Sequence, residues 1–94
     1  MLQLSALAVV TIESFGGGRA LRFVGCETGD EIEFEPSIVE KPEPGDQVVE
    51  TGGARVFLDA AAAAALDDQV LDIHEHGDHV HFNFTPQDEE ATGG

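Results

Sequence analysis

GDQVVETGGARVFLDAAAAAALDDQVLDIHEHGDHVHFNF, residues 45–84, is the stretch whose reading decides the fold. A proline-rich turn, Lys41-Pro42-Glu43-Pro44-Gly45-Asp46, leads into it. Gln47 to Glu50 reads as a short strand and Ala54 to Leu58 as its partner, joined through Thr51-Gly52-Gly53 as a hairpin. Asp59 then stands where a helix N-cap belongs, ahead of six consecutive alanines that close on Leu66. Alanine is the best helix former, yet one or two turns do not hold alone in water, so Leu66 must anchor them on the sheet. Asp67 and Asp68 sit at the negative end of that helix, at a small cost. Leu71 to His74 and His79 to Phe84 then read as a closing hairpin.

The N-terminal half is read from the same rules. Ser5 is a plausible N-cap, and Leu4, Ala8, Ile12 and Phe15 fall on one helical face over 6–15, with Gly16 as a stop. Val9, Val10, Thr11 and Ile12 are all β-branched and suit a strand as well, so helix leads only narrowly. Gly16-Gly17-Gly18 is a flexible break. A phosphate cradle would need a strand before it and a helix bearing Lys or Ser/Thr after it, and neither is present. Ala20 to Val24 alternates as a strand, and Gly25-Cys26-Glu27-Thr28-Gly29-Asp30 reads as a turn or loop. Glu31 to Glu35 alternates strictly, Ile32 and Phe34 inward and three carboxylates outward. Pro36 ends that strand or marks a sheet edge, with Ile38 and Val39 packing beyond it. After Pro86 there is no apolar anchor, so the expectation is one domain over 1–86 and a disordered tail over 87–94.

Composition narrows the function. Ninety-four residues make one domain with a thin core. Nineteen acids against four bases give a formal charge of −15. The bases, Arg19, Arg22, Lys41 and Arg55, are too few and too scattered to neutralise a nucleic-acid backbone or to seek an anionic membrane. A carboxylate-rich surface stays soluble but repels itself at low salt. Adaptation to a high-salt cytoplasm is one reading and a simply acidic soluble protein is the other. A single cysteine makes no intrachain disulfide. Ala6-Leu7-Ala8 lacks the positive and apolar regions of a secretory signal, and no stretch is long enough to span a bilayer. The cytoplasm is the default location.

Strand, short helix and hairpin in this order resemble the C-terminal part of the A-type iron–sulfur cluster assembly family (HesB/IscA-like). The residues that carry the resemblance are Gly45, Asp46, Val48, Glu50, Gly53, Val56, Leu58, Asp59, Leu66, Leu71-Asp72 and Phe82-Asn83-Phe84. Thr85-Pro86 stands where the family has Asn-Pro. The resemblance covers the last half of the chain and, more loosely, the rest. It implies an α+β domain with an N-terminal helix, a small mixed sheet or sandwich of about six or seven strands, and the Ala-rich helix over it. It also implies a non-enzymatic scaffold or carrier whose cofactor is an iron–sulfur cluster. The partners it implies are a homodimer and assembly or client proteins. In the family the ligands are one cysteine in a Gly-rich loop and two in a C-terminal Cys-Gly-Cys. Cys26 in Gly25-Cys26-Glu27-Thr28-Gly29 matches the first, and the C-terminal pair is absent here.

Two groups of residues bear chemistry. Cys26 is the cofactor-binding candidate, although one thiol does not hold a cluster that wants about four ligands. Glu27, Asp30 and Glu31 beside it disfavour a nucleophilic thiolate, and a small semi-buried structural cysteine is the competing reading. All four histidines lie in Ile73-His74-Glu75-His76-Gly77-Asp78-His79-Val80-His81-Phe82. With Gly77-Asp78 as a two-residue turn, His76 faces His79, His74 faces His81 and Ile73 faces Phe82. Alternation then puts all four imidazoles on one face, with Asp72 and Asn83. Opposed Cβ atoms are about 5 Å apart, which suits a divalent transition metal such as Zn²⁺, Ni²⁺ or Cu²⁺ on His74, His76, His79 and His81. The competing reading is a solvated face opposite the core. Ser5, Ser14 and Ser37 lack the context of a nucleophile, so no enzyme is expected. Three functions remain open: a cluster scaffold or carrier, an interaction module of the same fold without cluster binding, and a histidine-hairpin metal binder.

Overall fold

The computed structural model describes residues 1–87. The element order is β1 (Gln3–Leu4), α1 (Ala6–Glu13), β2 (Ala20–Thr28), β3 (Glu31–Val39), β4 (Gln47–Thr51), β5 (Ala54–Leu58), α2 (Ala60–Ala65), β6 (Gln69–His76) and β7 (His79–Pro86). The seven strands among the described residues divide into a four-stranded sheet, β3-β2-β5-β4, and a three-stranded sheet, β1-β6-β7. Each sheet contains one parallel pairing, β2 with β5 and β1 with β6, and is otherwise antiparallel. The α+β class expected from the residues is therefore observed, and the strands form a sandwich of two mixed sheets rather than one sheet.

Aromatic rings join the layers. Phe23 on β2 meets Phe82 and Phe84 on β7 edge to face, each with ring centroids 5.5 Å apart. Phe34 on β3 packs at 5.3 Å from Phe84. Leu21, Val56, Leu58, Leu71 and Ile73 complete the cluster between the sheets with Ile12 of α1 and Ala62 and Leu66 of α2. Burying a ring such as Phe23, which is 1% exposed, is worth about 1.5–3 kcal/mol. Phe57 points to the other face of the four-stranded sheet and is buried there, with the Arg55 guanidinium 5.8 Å from its ring centroid.

Both helices begin at the caps the residues indicate. Ser5 Oγ accepts from the Ala8 N–H at 3.0 Å and donates to Asp72 on β6 at 2.7 Å, so one hydroxyl starts α1 and ties it to the sheet. The helix stops at Glu13, two residues short of the expected Phe15, and Gly16 turns the chain in the left-handed region at φ +66°. Asp59 Oδ1 accepts from Ala62 N–H at 2.8 Å and from Gly25 N–H at 3.1 Å, which pins α2 across β2. Leu66 is buried, as the anchoring role required.

Three departures from the sequence reading matter. Gln3–Leu4 forms a strand, too short to show a period. The loop expected over 25–30 is mostly strand: β2 runs to Thr28 and pairs with β3 throughout, turning on Gly29-Asp30. Pro36 does not end its strand but lies inside β3, opposite Phe23. The other reading of this proline, a sheet edge, is the one observed, since β3 is an edge strand where a missing N–H is tolerated. Of the tail expected over 87–94, Gln87 alone is described. Its side-chain amide donates to Met1 O and Gln69 O; the remainder lies outside the described residues.

Candidate functional site

Cys26 lies in the outer half of the β2–β3 hairpin, opposite Glu33. Strand alternation sends Leu21, Phe23 and Gly25 to the inner face and Arg22, Val24 and Cys26 to the outer one. Gly25 is there because α2 passes directly over it: a Cβ would lie 3.0 Å from Ala62 N and 3.1 Å from Ala61 Cβ. The thiol on the far side is exposed, not semi-buried as the structural reading of it expected. It borders a shallow cavity of about 260 Å³ shared with Glu33, Phe34, Glu35 and Pro36. Two of its lining residues, Glu33 and Glu35, bring carboxylates from the neighbouring strand to the same cavity.

The four histidines occupy the β6–β7 hairpin in the register read from the sequence. His76 pairs with His79, His74 with His81, Ile73 with Phe82 and Asp72 with Asn83. Gly77 takes φ +63°, and among the described residues no non-glycine residue has a positive φ, so the turn bends at its glycine alone, as the II′ type does. His76 and His81 lie diagonally, rings edge to face with centroids 5.6 Å apart. His74 Nε2 is 2.9 Å from Asp72 Oδ2, and His79 Nε2 is 3.7 Å from Asp78 Oδ1. His74 and His76 also border an open cavity of about 420 Å³ against Leu7, Val10 and Ser14 of α1 and its C-cap.

The two candidate groups are on different sheets. Among the described residues, no three His, Cys, Asp or Glu side chains converge as a ready ligand set. One thiol with carboxylates around it does not fit a cluster that takes about four ligands, so a single chain does not supply the donors such a group needs.

Other features were not read from the residues. Arg22 makes a two-pronged bond to Asp46, Nε to Oδ2 at 2.8 Å and Nη2 to Oδ1 at 2.9 Å. Asp46 also accepts from Glu43 N–H at 2.9 Å. The Arg22 hydrogen bonds hold the Asp46 carboxyl below the usual carboxylate range, against the opposing effect of burial, and Asp46 raises the Arg22 guanidinium in turn. The Gly45-Asp46 pair signals a turn, but nothing in the sequence points from it to Arg22. An apolar groove of about 250 Å³ runs between α1 and the edge of the sandwich, lined by Phe15, Leu21, Pro36, Ile38, Val80 and Phe82. Its only sequence signal is Ile38, an apolar residue left over after Pro36. No helix among the described residues is long and apolar enough to cross a membrane.

No protein-family model matches the chain, and no curated protein matches it. Solved structures do. Escherichia coli SufA, a protein involved in biosynthesis of iron–sulfur clusters, superposes with a TM-score of 0.76 at 23% identity, over 90% of this chain and 79% of SufA. IscA solved with a [2Fe-2S] cluster superposes with a TM-score of 0.71 at 22% identity, over 92% of this chain and 85% of IscA. The fold expected from the HesB/IscA-like resemblance is therefore the fold observed.

Proposed function

We propose that this chain is a HesB/IscA-like protein that serves iron–sulfur cluster assembly without catalysing a reaction, as a scaffold, carrier or binding partner. The observation that supports this is the shared fold with SufA and IscA along nine-tenths of the chain, together with the matched residues from Gly45 to Phe84. As a carrier, it takes the cluster as cargo shared between two copies of the chain or between the chain and a client. Two copies supply two thiols, and the rest of the roughly four ligands come from histidines, carboxylates or an added thiol. Cys26, exposed on the β2–β3 hairpin, is the residue to which this reading assigns that contact. Anaerobic reconstitution with iron and sulfide tests this. The expected result is a visible absorbance band that disappears in Cys26→Ser, with about one cluster per two chains.

A second reading rests on the donors themselves. A lone thiol bordered by Glu33 and Glu35, without a Cys-Gly-Cys, favours a module that keeps the fold and its protein contacts but not the cluster. No band in the wild-type protein, or a band unchanged in Cys26→Ser, removes the carrier and leaves this module. For either reading the setting proposed is the cytoplasm. If the −15 charge answers a high-salt cytoplasm, the melting temperature climbs steeply with KCl as the carboxylates are screened; a flat response ends that idea.

A further inference from the structure

We infer that the outer face of the β6–β7 hairpin is a divalent transition-metal site, built on His76 and His81 with His79 as the third imidazole. This stands apart from the iron–sulfur reading and uses none of its residues.

Two observations carry it. First, the register places four imidazoles on one face of a two-stranded ribbon, with no apolar residue among them. Second, His76 and His81 already sit at a metal-bridging separation. Two imidazoles on one tetrahedral Zn²⁺, with bonds of about 2.0–2.1 Å, have ring centroids about 5 Å apart; here the separation is 5.6 Å. His79 is directly opposite His76, and its side chain is 79% exposed, so it is free to turn inward. His74 is differently placed. Its Nε2 faces Asp72, which is itself fixed by Ser5, so it flanks the site and orients rather than leads. A borderline-soft ion of the Zn²⁺, Ni²⁺ or Cu²⁺ kind suits imidazole donors, whereas Mg²⁺ and Ca²⁺ prefer oxygen. The strongly negative chain raises the local concentration of any cation, and the imidazoles then select among cations.

The test is calorimetric titration of the full chain with Zn²⁺ at neutral pH, in excess Mg²⁺ to occupy carboxylates. Binding of one ion per chain at micromolar Kd or tighter is expected. His76→Ala and His81→Ala each weaken it at least tenfold, and Cys26→Ser leaves it unchanged. The ring resonances of His76 and His81 should shift or broaden with the first equivalent of Zn²⁺ in NMR spectra of the wild-type protein, a readout that needs no variant to fold. Absence of binding under Mg²⁺, binding that survives both substitutions, or loss in Cys26→Ser would each overturn the assignment.

Discussion

Two hairpins in this molecule turn on the same dipeptide. Gly29-Asp30 joins β2 to β3 and Gly77-Asp78 joins β6 to β7, with glycine φ values of +64° and +63°. One carries the lone thiol among carboxylates, the other all four imidazoles. Their strands pair residue for residue up to the turn in both cases, yet only the second is legible as a hairpin in the sequence. In β6–β7 the polarity alternates almost to the tip, with histidines marking one face. In β2 the alternation stops at Val24, and Gly25-Cys26-Glu27-Thr28 offers neither apolar period nor β-branched run. Backbone pairing does not need that period. Once Phe23 and Phe34 are fixed in the core, the ladder between them extends outward on its own hydrogen bonds.

The change expected to break both hairpins together is Phe23→Ala. Its ring lies at the root of β2 and touches Phe82 and Phe84 on β7. Truncating a buried Phe costs about 3–5 kcal/mol, a large part of what a domain this small has. Urea unfolding should show it as a fall in midpoint with native slope. A loss under 1 kcal/mol would mean that the hairpins do not share a root.

Arg22→Ala should act on one hairpin only. It removes the two-pronged bond that braces β2 against the turn at Asp46, a side chain only 2% exposed. Losing charged hydrogen bonds of this kind costs about 1.5–3 kcal/mol. The effect depends on pH with a definite sign. Because Asp46 is held below its ordinary value in the folded state, the pair stabilises the protein above about pH 4, the unfolded carboxyl range. That stability is lost as pH falls through the lower folded value. The stability difference between wild type and Arg22→Ala should therefore shrink on acidification, and a difference constant from pH 7 to pH 2 would refute the coupling. Hydrogen exchange should rise in β2 and the 43–46 turn and stay unchanged in β6–β7.

Gly25→Ala separates the hairpins in another way. The position has no left-handed backbone; what it lacks is room, since α2 lies 3.0 Å from where a Cβ would be. Overpacking of this size costs about 1–3 kcal/mol. The damage should reach the Ala60–Ala65 helix through the shared Asp59 contact, visible as lost protection of the Ala62 and Ala63 amides.

How much was legible follows from which forces are local. The caps at Ser5 and Asp59, the β4–β5 turn and the His76–His79 register are set by residues within a few positions of one another, and each was readable. The division into two sheets, the parallel pairing of Gln3–Leu4 with Val70–Leu71 and the Arg22–Asp46 bond depend on partners 24 to 67 positions away. No local pattern encodes them. Cys26 reads as a loop thiol but lies in β2, because its setting is decided by Glu33 across the ladder and by Ala62, which packs over Gly25 on the opposite face. The histidine face was placed correctly because a two-residue turn fixes register by itself.

The smallest effects come from the turns, and there the two hairpins should agree. Gly29 and Gly77 have nothing within 4 Å of a built Cβ, so alanine meets no neighbour at either. What remains is the cost of a left-handed backbone for an L-residue, about 1–2 kcal/mol, offset in part by the stiffer unfolded chain. Gly29→Ala and Gly77→Ala should therefore each cost about 1 kcal/mol, equal within error, by urea midpoint in metal-free buffer. Zinc should separate them. If the imidazoles flanking Gly77 bind an ion, saturating Zn²⁺ stabilises wild type and Gly29→Ala alike through binding to the folded state. Gly77→Ala should gain less, because a strained turn shifts His76 and His79 against each other. Equal gains in all three proteins would mean that the tip of the second hairpin takes no part in holding the ion.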